Sequence, residues 1–133
     1  DVRIFLISSQ RSRMKDDIKD HLRERGVCFI EGNDIREFAS RLNAVYVIRD
    51  QKEYSEDTQP SVITPNPTDF LFIDENVLNL LPCDSIVMHP LPIDKDVMEI
   101  RPEVENDLRV VCLREQVDNG LFTRMAELEM TLT

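Results

Sequence analysis

The chain has 133 residues, 41% hydrophobic and 32% charged, and a formal net charge of −10. That length suffices for one domain with a real core and falls short of two, and the composition is ordinary for a soluble globular domain. The acidic balance argues against nucleic acid and anionic membrane as partners, while leaving room for an anionic substrate held by a few convergent arginines.

Val2 to Ile7 reads as a nearly continuous apolar strand, of the kind buried on both faces of a parallel sheet. Residues 12–25 follow as a helix, with Met14, Ile18 and Leu22 on one stripe and Gly26 as the stop. Val27 to Ile30 is a second strand. Asp34 with Glu37 forms a capping box for a short helix striped by Ile35, Phe38, Ala39 and Leu42. Ala44 to Ile48 is a third strand. Residues 49–69 are polar and carry Pro60, Pro65 and Pro67, too long for a plain connection, so a functional loop more mobile than the sheet is expected. Phe70 to Ile73 is extended, Asp74 caps a helix through Leu81 that Pro82 ends, and Ile86 to Met88 is the fourth strand. Val110 to Leu113 is a last extended piece before a helix with Val117, Leu121, Met125 and Leu128 on one face. This alternation predicts an α/β, Rossmann-like three-layer fold, one domain with a mainly parallel sheet of about four to five strands.

Cys28, Cys83 and Cys112 stand far apart, form no Cys-x-x-Cys, and lie in or beside apolar runs, so buried reduced thiols are expected. With only His21 and His89 beside them, no metal constellation is evident. Three glycines rule out a phosphate-cradling Gly loop, so no nucleotide cofactor is expected. No apolar stretch approaches a membrane span and no basic-then-apolar leader opens the chain, which predicts a cytoplasmic protein. A chain that opens at once on a strand can be a natural domain, and a fragment cut upstream would look the same.

Two polar clusters fall where ligands sit in such sheets, beyond the carboxyl ends of strands. After the third strand comes Arg49-Asp50-Gln51-Lys52-Glu53; Arg49 and Gln51, two apart, point to one side, and a guanidinium fork beside an amide can hold a carboxylate pair. After the fourth comes His89-Pro90-Leu91-Pro92, where two prolines stiffen the turn and remove two amide donors, leaving carbonyls aimed in set directions. A solvated strand exit and a plain structural corner are the simpler readings of each cluster taken alone.

Taken together and in order, "VYVIRDQKE", "MHPLP" and "VDNGLFTRMAEL" resemble the aspartate-binding, C-terminal domain of the aspartate/ornithine carbamoyltransferase family. The likeness runs over nearly the whole chain, and proline after the histidine is similar to the aspartate enzymes rather than to the ornithine ones. It implies that Arg49 and Gln51 bind the carboxylates of aspartate, and that His89 is catalytic, a donor at the carbonyl oxygen of carbamoyl phosphate. The Pro90 and Leu91 carbonyls would receive the carbamoyl amino group, and the Leu91–Pro92 bond would be cis. It also implies a carbamoyl-phosphate domain in the same or another chain, a homo-oligomer (a trimer at full length), a place in pyrimidine biosynthesis, and no cofactor or metal. The family's carbamoyl-phosphate domain and the first strand and helix of its aspartate domain have no counterpart within these 133 residues. The last helix would return to pack on the absent domain, so its apolar stripe is expected to be uncovered.

Departures accompany the match. Tyr54 and Ile93 stand where the family pattern has arginines, and IDKDVMEI and CLREQVDNG are longer than their counterparts. They keep a second function open, a truncated and inactive relative serving as a binding or assembly module. Retention of Arg49, Gln51 and His89 together speaks for the enzyme.

Overall fold

A computed structural model of the chain describes residues 2–48 and 72–132. Arg49, Gln51, Tyr54 and the 49–69 loop lie outside the described residues, and so does the expectation of mobility placed on that loop.

The element order is β1 (Arg3–Ile7), α1 (Asp16–Glu24), β2 (Cys28–Gly32), β3 (Ala44–Tyr46), α2 (Glu75–Leu80), β4 (Ile86–Met88) and α3 (Glu115–Leu132), with short 3₁₀ turns between. The class is α/β, and every strand pairing among the described residues is parallel. The expected single sheet is not what the described residues form: β1 pairs only with β2, from Arg3 with Cys28 to Ile7 with Gly32, and β3 only with β4, from Ala44 with Ile86 to Tyr46 with Met88. Single parallel bridges join Val87 to Val110 and Ile73 to Ile100, so the piece expected at Val110–Leu113 is reduced to one bridging residue. The facing edges of β1 and β3 border a cleft of about 680 Å³ whose walls include Ile4, Phe5, Ala44 and Tyr46. With no strand between them among the described residues, the two pairs stay apart.

The core lies on the β3–β4 half. Val45, Val47, Val87 and Val110 are buried against Val77, Leu78 and Leu81 of the α2 region and Ile35, Ala39 and Leu42. The other face is open: Tyr46 is 52% and Ile48 69% exposed. The expectation of a strand buried on both faces concerns β1, where no residue is fully buried; β3 alternates exposed, buried, exposed. Residues Ile35–Leu42 form two 3₁₀ turns rather than one helix. The capping box is not formed, because the Asp34 carboxylate accepts from the Arg36 amide and guanidinium instead of the Glu37 amide. Gly26, at φ +67°, takes the left-handed conformation that ends α1, where a side chain would be strained. Among the thiols only Cys112 is buried; Cys28 and Cys83 are exposed, because the first residue of β2 and the turn after α2 face outward.

At α2 the local reading holds. The Asp74 carboxylate accepts the Val77 amide at 2.8 Å, satisfying an orphan donor of the first turn. Asp74→Ala is expected to cost about 1 kcal/mol of unfolding free energy, read as a lower urea midpoint with an unchanged slope; an unchanged midpoint contradicts the cap. The helix packs Val77 and Leu78 into the buried cluster that also contains Val87 of β4.

α3 is different: none of its residues is buried, and Leu121, Phe122, Met125 and Leu128 are each more than half exposed. The uncovered apolar stripe expected from the resemblance is present. No helix among the described residues is long and apolar enough to cross a membrane.

Candidate functional site

β4 delivers His89 to the carboxyl edge of the parallel pair, where Val47 N–H donates to the Met88 carbonyl at 2.9 Å and the ladder to β3 ends. His89 does not project into solvent. It is fully buried, at 0% exposure. Its Nδ1 accepts the Leu91 amide at 2.9 Å, which places the neutral ring's proton on Nε2. Nε2 then faces the buried Glu99 carboxylate at 4.0 Å, too far for a hydrogen bond, and neither Nε2 nor Glu99 Oε1 has a partner among the described residues. Burial pushes the imidazole below its ordinary pKa, and the Glu99 carboxylate opposes that more weakly.

The same hydrogen bond shapes the turn. Leu91 sits at φ +55°, a left-handed conformation costly for a branched side chain, and the Leu91–Pro92 bond is cis as the resemblance implies. Pro90 is exposed and Leu91 half-buried. Their carbonyls accept no hydrogen bond from the described residues. The two prolines remove two amide donors from the turn.

Two residues that the motifs did not single out hold this turn. The Gln116 carboxamide accepts from His89 N–H at 3.1 Å and donates to the His89 carbonyl at 2.8 Å. Glu99 Oε2 accepts the Asp94 amide at 3.0 Å, closing the loop that follows Pro92. The one sequence signal for Glu99 is an acid set between Met98 and Ile100; Gln116 carries none, since a glutamine in the first turn of a helix reads as surface. The 680 Å³ cleft belongs to neither group, as it is walled by β1 and β3 and not by the turn. Among the described residues, no cluster of three or more His, Cys, Asp or Glu side chains could hold a metal. Arg49 and Gln51 follow β3 in sequence, three and five residues past Tyr46, and lie outside the described residues.

Residues 2–131 match the family described as aspartate/ornithine carbamoyltransferase, Asp/Orn binding domain. Aspartate carbamoyltransferase 1, chloroplastic, of Pisum sativum is 36% identical over 133 residues, covering 99% of this chain and 33% of that protein. The aspartate carbamoyltransferase catalytic subunit of Thermococcus kodakarensis is 36% identical over 132 residues, covering 99% and 40%. Among solved structures, Trypanosoma cruzi aspartate transcarbamoylase in complex with carbamoyl aspartate and phosphate superposes with a TM-score of 0.73 at 27% identity, over 95% of this chain and 37% of that one. The chain spans about a third of the length of the curated relatives it matches.

Proposed function

The chain belongs to the aspartate/ornithine carbamoyltransferase family, as its Asp/Orn-binding domain, and from that premise we propose that it is the aspartate-binding part of an aspartate carbamoyltransferase. The whole enzyme would join carbamoyl phosphate and L-aspartate into N-carbamoyl-L-aspartate and phosphate, in pyrimidine biosynthesis. The observation that carries the reading is the braced His89–Pro92 turn, whose Pro90 and Leu91 carbonyls accept no hydrogen bond from the described residues, at the carboxyl edge of a parallel strand pair.

In this reading Arg49 and Gln51 bind the two carboxylates of aspartate, the fork supplying parallel N–H donors. The Pro90 and Leu91 carbonyls receive the carbamoyl amino group, so the electrophilic carbon is held where the amine attacks. As that bond forms, negative charge grows on the carbamoyl oxygen, the amine loses a proton, and phosphate departs. The role expected of His89, a donor to that oxygen, needs Nε2 to leave the interior. In the described conformation its imidazole acts on the site through Leu91 instead, as a positioning group.

The finer architecture belongs to the same proposal. Residues 1–133 form one domain in which the two parallel pairs are parts of a single Rossmann-like sheet, a reading supported by the facing edges of β1 and β3 and by the T. cruzi superposition. The carbamoyl-phosphate domain would come from the same or another chain, in a trimer, covering the apolar stripe of α3. The module reading has one observation in its favour. Ile93, where the family pattern has arginine, packs against the core instead of offering a cation.

The test is ligand binding to the 133-residue chain. Succinate or aspartate is expected to bind with a dissociation constant on the order of millimolar, given so few contacts. Arg49→Ala should weaken it at least tenfold, with no carbamoyl aspartate formed by either protein. Turnover by the chain alone, or binding indifferent to Arg49, would contradict the proposal.

A further inference from the structure

We infer that Gln116 is a positioning residue for the carbamoyl group, its side-chain amide standing in for the missing strand that should hold the end of β4. The inference rests on the carbonyl role assigned above to Pro90 and Leu91.

The argument starts from the ladder. On the β4 edge away from β3, Val87 N–H donates to the Arg109 carbonyl at 2.7 Å and Val111 N–H to the Val87 carbonyl at 3.0 Å. In a parallel ladder the next residue to present both groups on that edge is two further on. That residue is His89. The backbone that should meet it has already turned away, because the Val111 carbonyl accepts from Arg114 and Gln116 as α3 begins. His89 N–H and C=O would be orphaned in a buried residue, each losing water without gaining a partner. The Gln116 carboxamide fills the place, with one acceptor and one donor in the spacing of a peptide group.

Two bonds to one residue fix its rotation as well as its position. Beyond the clamp, Pro90 has its φ set by the ring, and the Leu91 amide is tied back to His89 Nδ1. Few soft torsions therefore separate the Gln116 amide from the Pro90 and Leu91 carbonyls, and a rotation at His89 swings both. A misplacement of about 1 Å at a reacting group can cost on the order of a hundredfold in rate. Gln116 touches neither substrate nor reacting atom; it acts through the turn.

The experiment uses the full-length polypeptide in which these residues occur, with Gln116→Glu and Gln116→Met. Glu keeps the acceptor and loses the donor to the His89 carbonyl, and Met keeps the length and loses both. Assays run where circular dichroism shows each variant fully folded. Both variants are expected to lose about 10–100-fold in kcat/KM for carbamoyl phosphate, while the dissociation constant of succinate, held by Arg49 and Gln51, stays within about threefold. A folded variant with parental kcat/KM overturns the inference and leaves the proposed function standing. Equal loss of carbamoyl turnover and of succinate affinity also overturns it, since general loosening of the domain would then suffice. A parent that binds succinate without turning over removes the catalytic reading, and this inference with it.

Discussion

Arg109→Ala is expected to lower the unfolding free energy by about 2–4 kcal/mol, a large effect for a partly exposed position. One guanidinium makes three attachments. Its Nη1 donates to the Leu78 and Leu81 carbonyls at 2.7 and 3.3 Å at the end of α2, where the Leu78 carbonyl also accepts the Leu81 amide at 3.1 Å. Its Nε and Nη2 donate to the two carboxylate oxygens of Asp107, at 2.9 and 2.8 Å. The pair is mostly shielded, at 18% and 30% side-chain exposure, so the fork is worth more than a surface ion pair. Loss of the guanidinium strips the Leu78 carbonyl of its second donor, leaves the Leu81 carbonyl without this one, and frees the segment that leads to Val110. Arg109→Lys keeps the charge without the fork and should recover less than half of the loss.

The acid limb carries the same signature. Arg109 holds the Asp107 carboxyl at about 2, below its ordinary 3.8. A depressed folded pKa adds stability that is fully present above the unfolded value and fades as pH falls from 3.8 towards 2. In Arg109→Ala that part of the acid limb should flatten. Urea midpoints of parent and variant at pH 7 and pH 3 decide it: a shift below about 0.5 kcal/mol at pH 7 would show the contacts to be ornamental.

At His89 the expected result separates two roles for one ring. His89→Ala should cost about 2–4 kcal/mol, because it empties a fully buried site and leaves the Leu91 amide without an acceptor. His89→Asn places an oxygen near Nδ1 and can still accept from Leu91. His89→Gln reaches the place of Nε2 and releases Leu91. If the ring works by holding the turn, Asn keeps turnover in the full-length protein within about tenfold of the parent, while Gln loses about a hundredfold. If Nε2 serves the carbamoyl oxygen, the order reverses.

The pH sign follows from burial. The folded ring takes up its proton at lower pH than the unfolded one, so stability falls as pH drops below the ordinary histidine value of about 6.5. Protonation would also set an Nδ1 donor against the Leu91 amide. His89→Gln should remove that slope between pH 7 and pH 5, and a slope retained in the variant would assign it to other groups.

Much of this molecule is legible in the order of its residues. Four strand positions, the stop at Gly26, the Asp74 cap and the amphipathic last helix follow from local rules, because period, capping chemistry and backbone freedom act over a few residues. The capping box at Asp34 failed for a reason equally local. The Arg36 guanidinium, two residues on, competes for the same carboxylate.

The sequence by itself determined the family, the α/β class, the parallel pairing and the place of the His89–Pro92 turn at a strand end. Only the tertiary structure decided what the turn is made of. His89 was readable as a group facing outward to a ligand, and it proves to be buried, with Nδ1 engaged by the Leu91 amide and Nε2 facing Glu99 beyond hydrogen-bond distance. Gln116 lies 27 residues away from the His89 backbone that it clamps. Its selection depends on where α3 leaves the β4 edge, because a buried peptide group must be satisfied by whatever donor or acceptor the fold brings within about 3 Å. Period and propensity carry no information about that meeting, which exists only once the chain has closed around it.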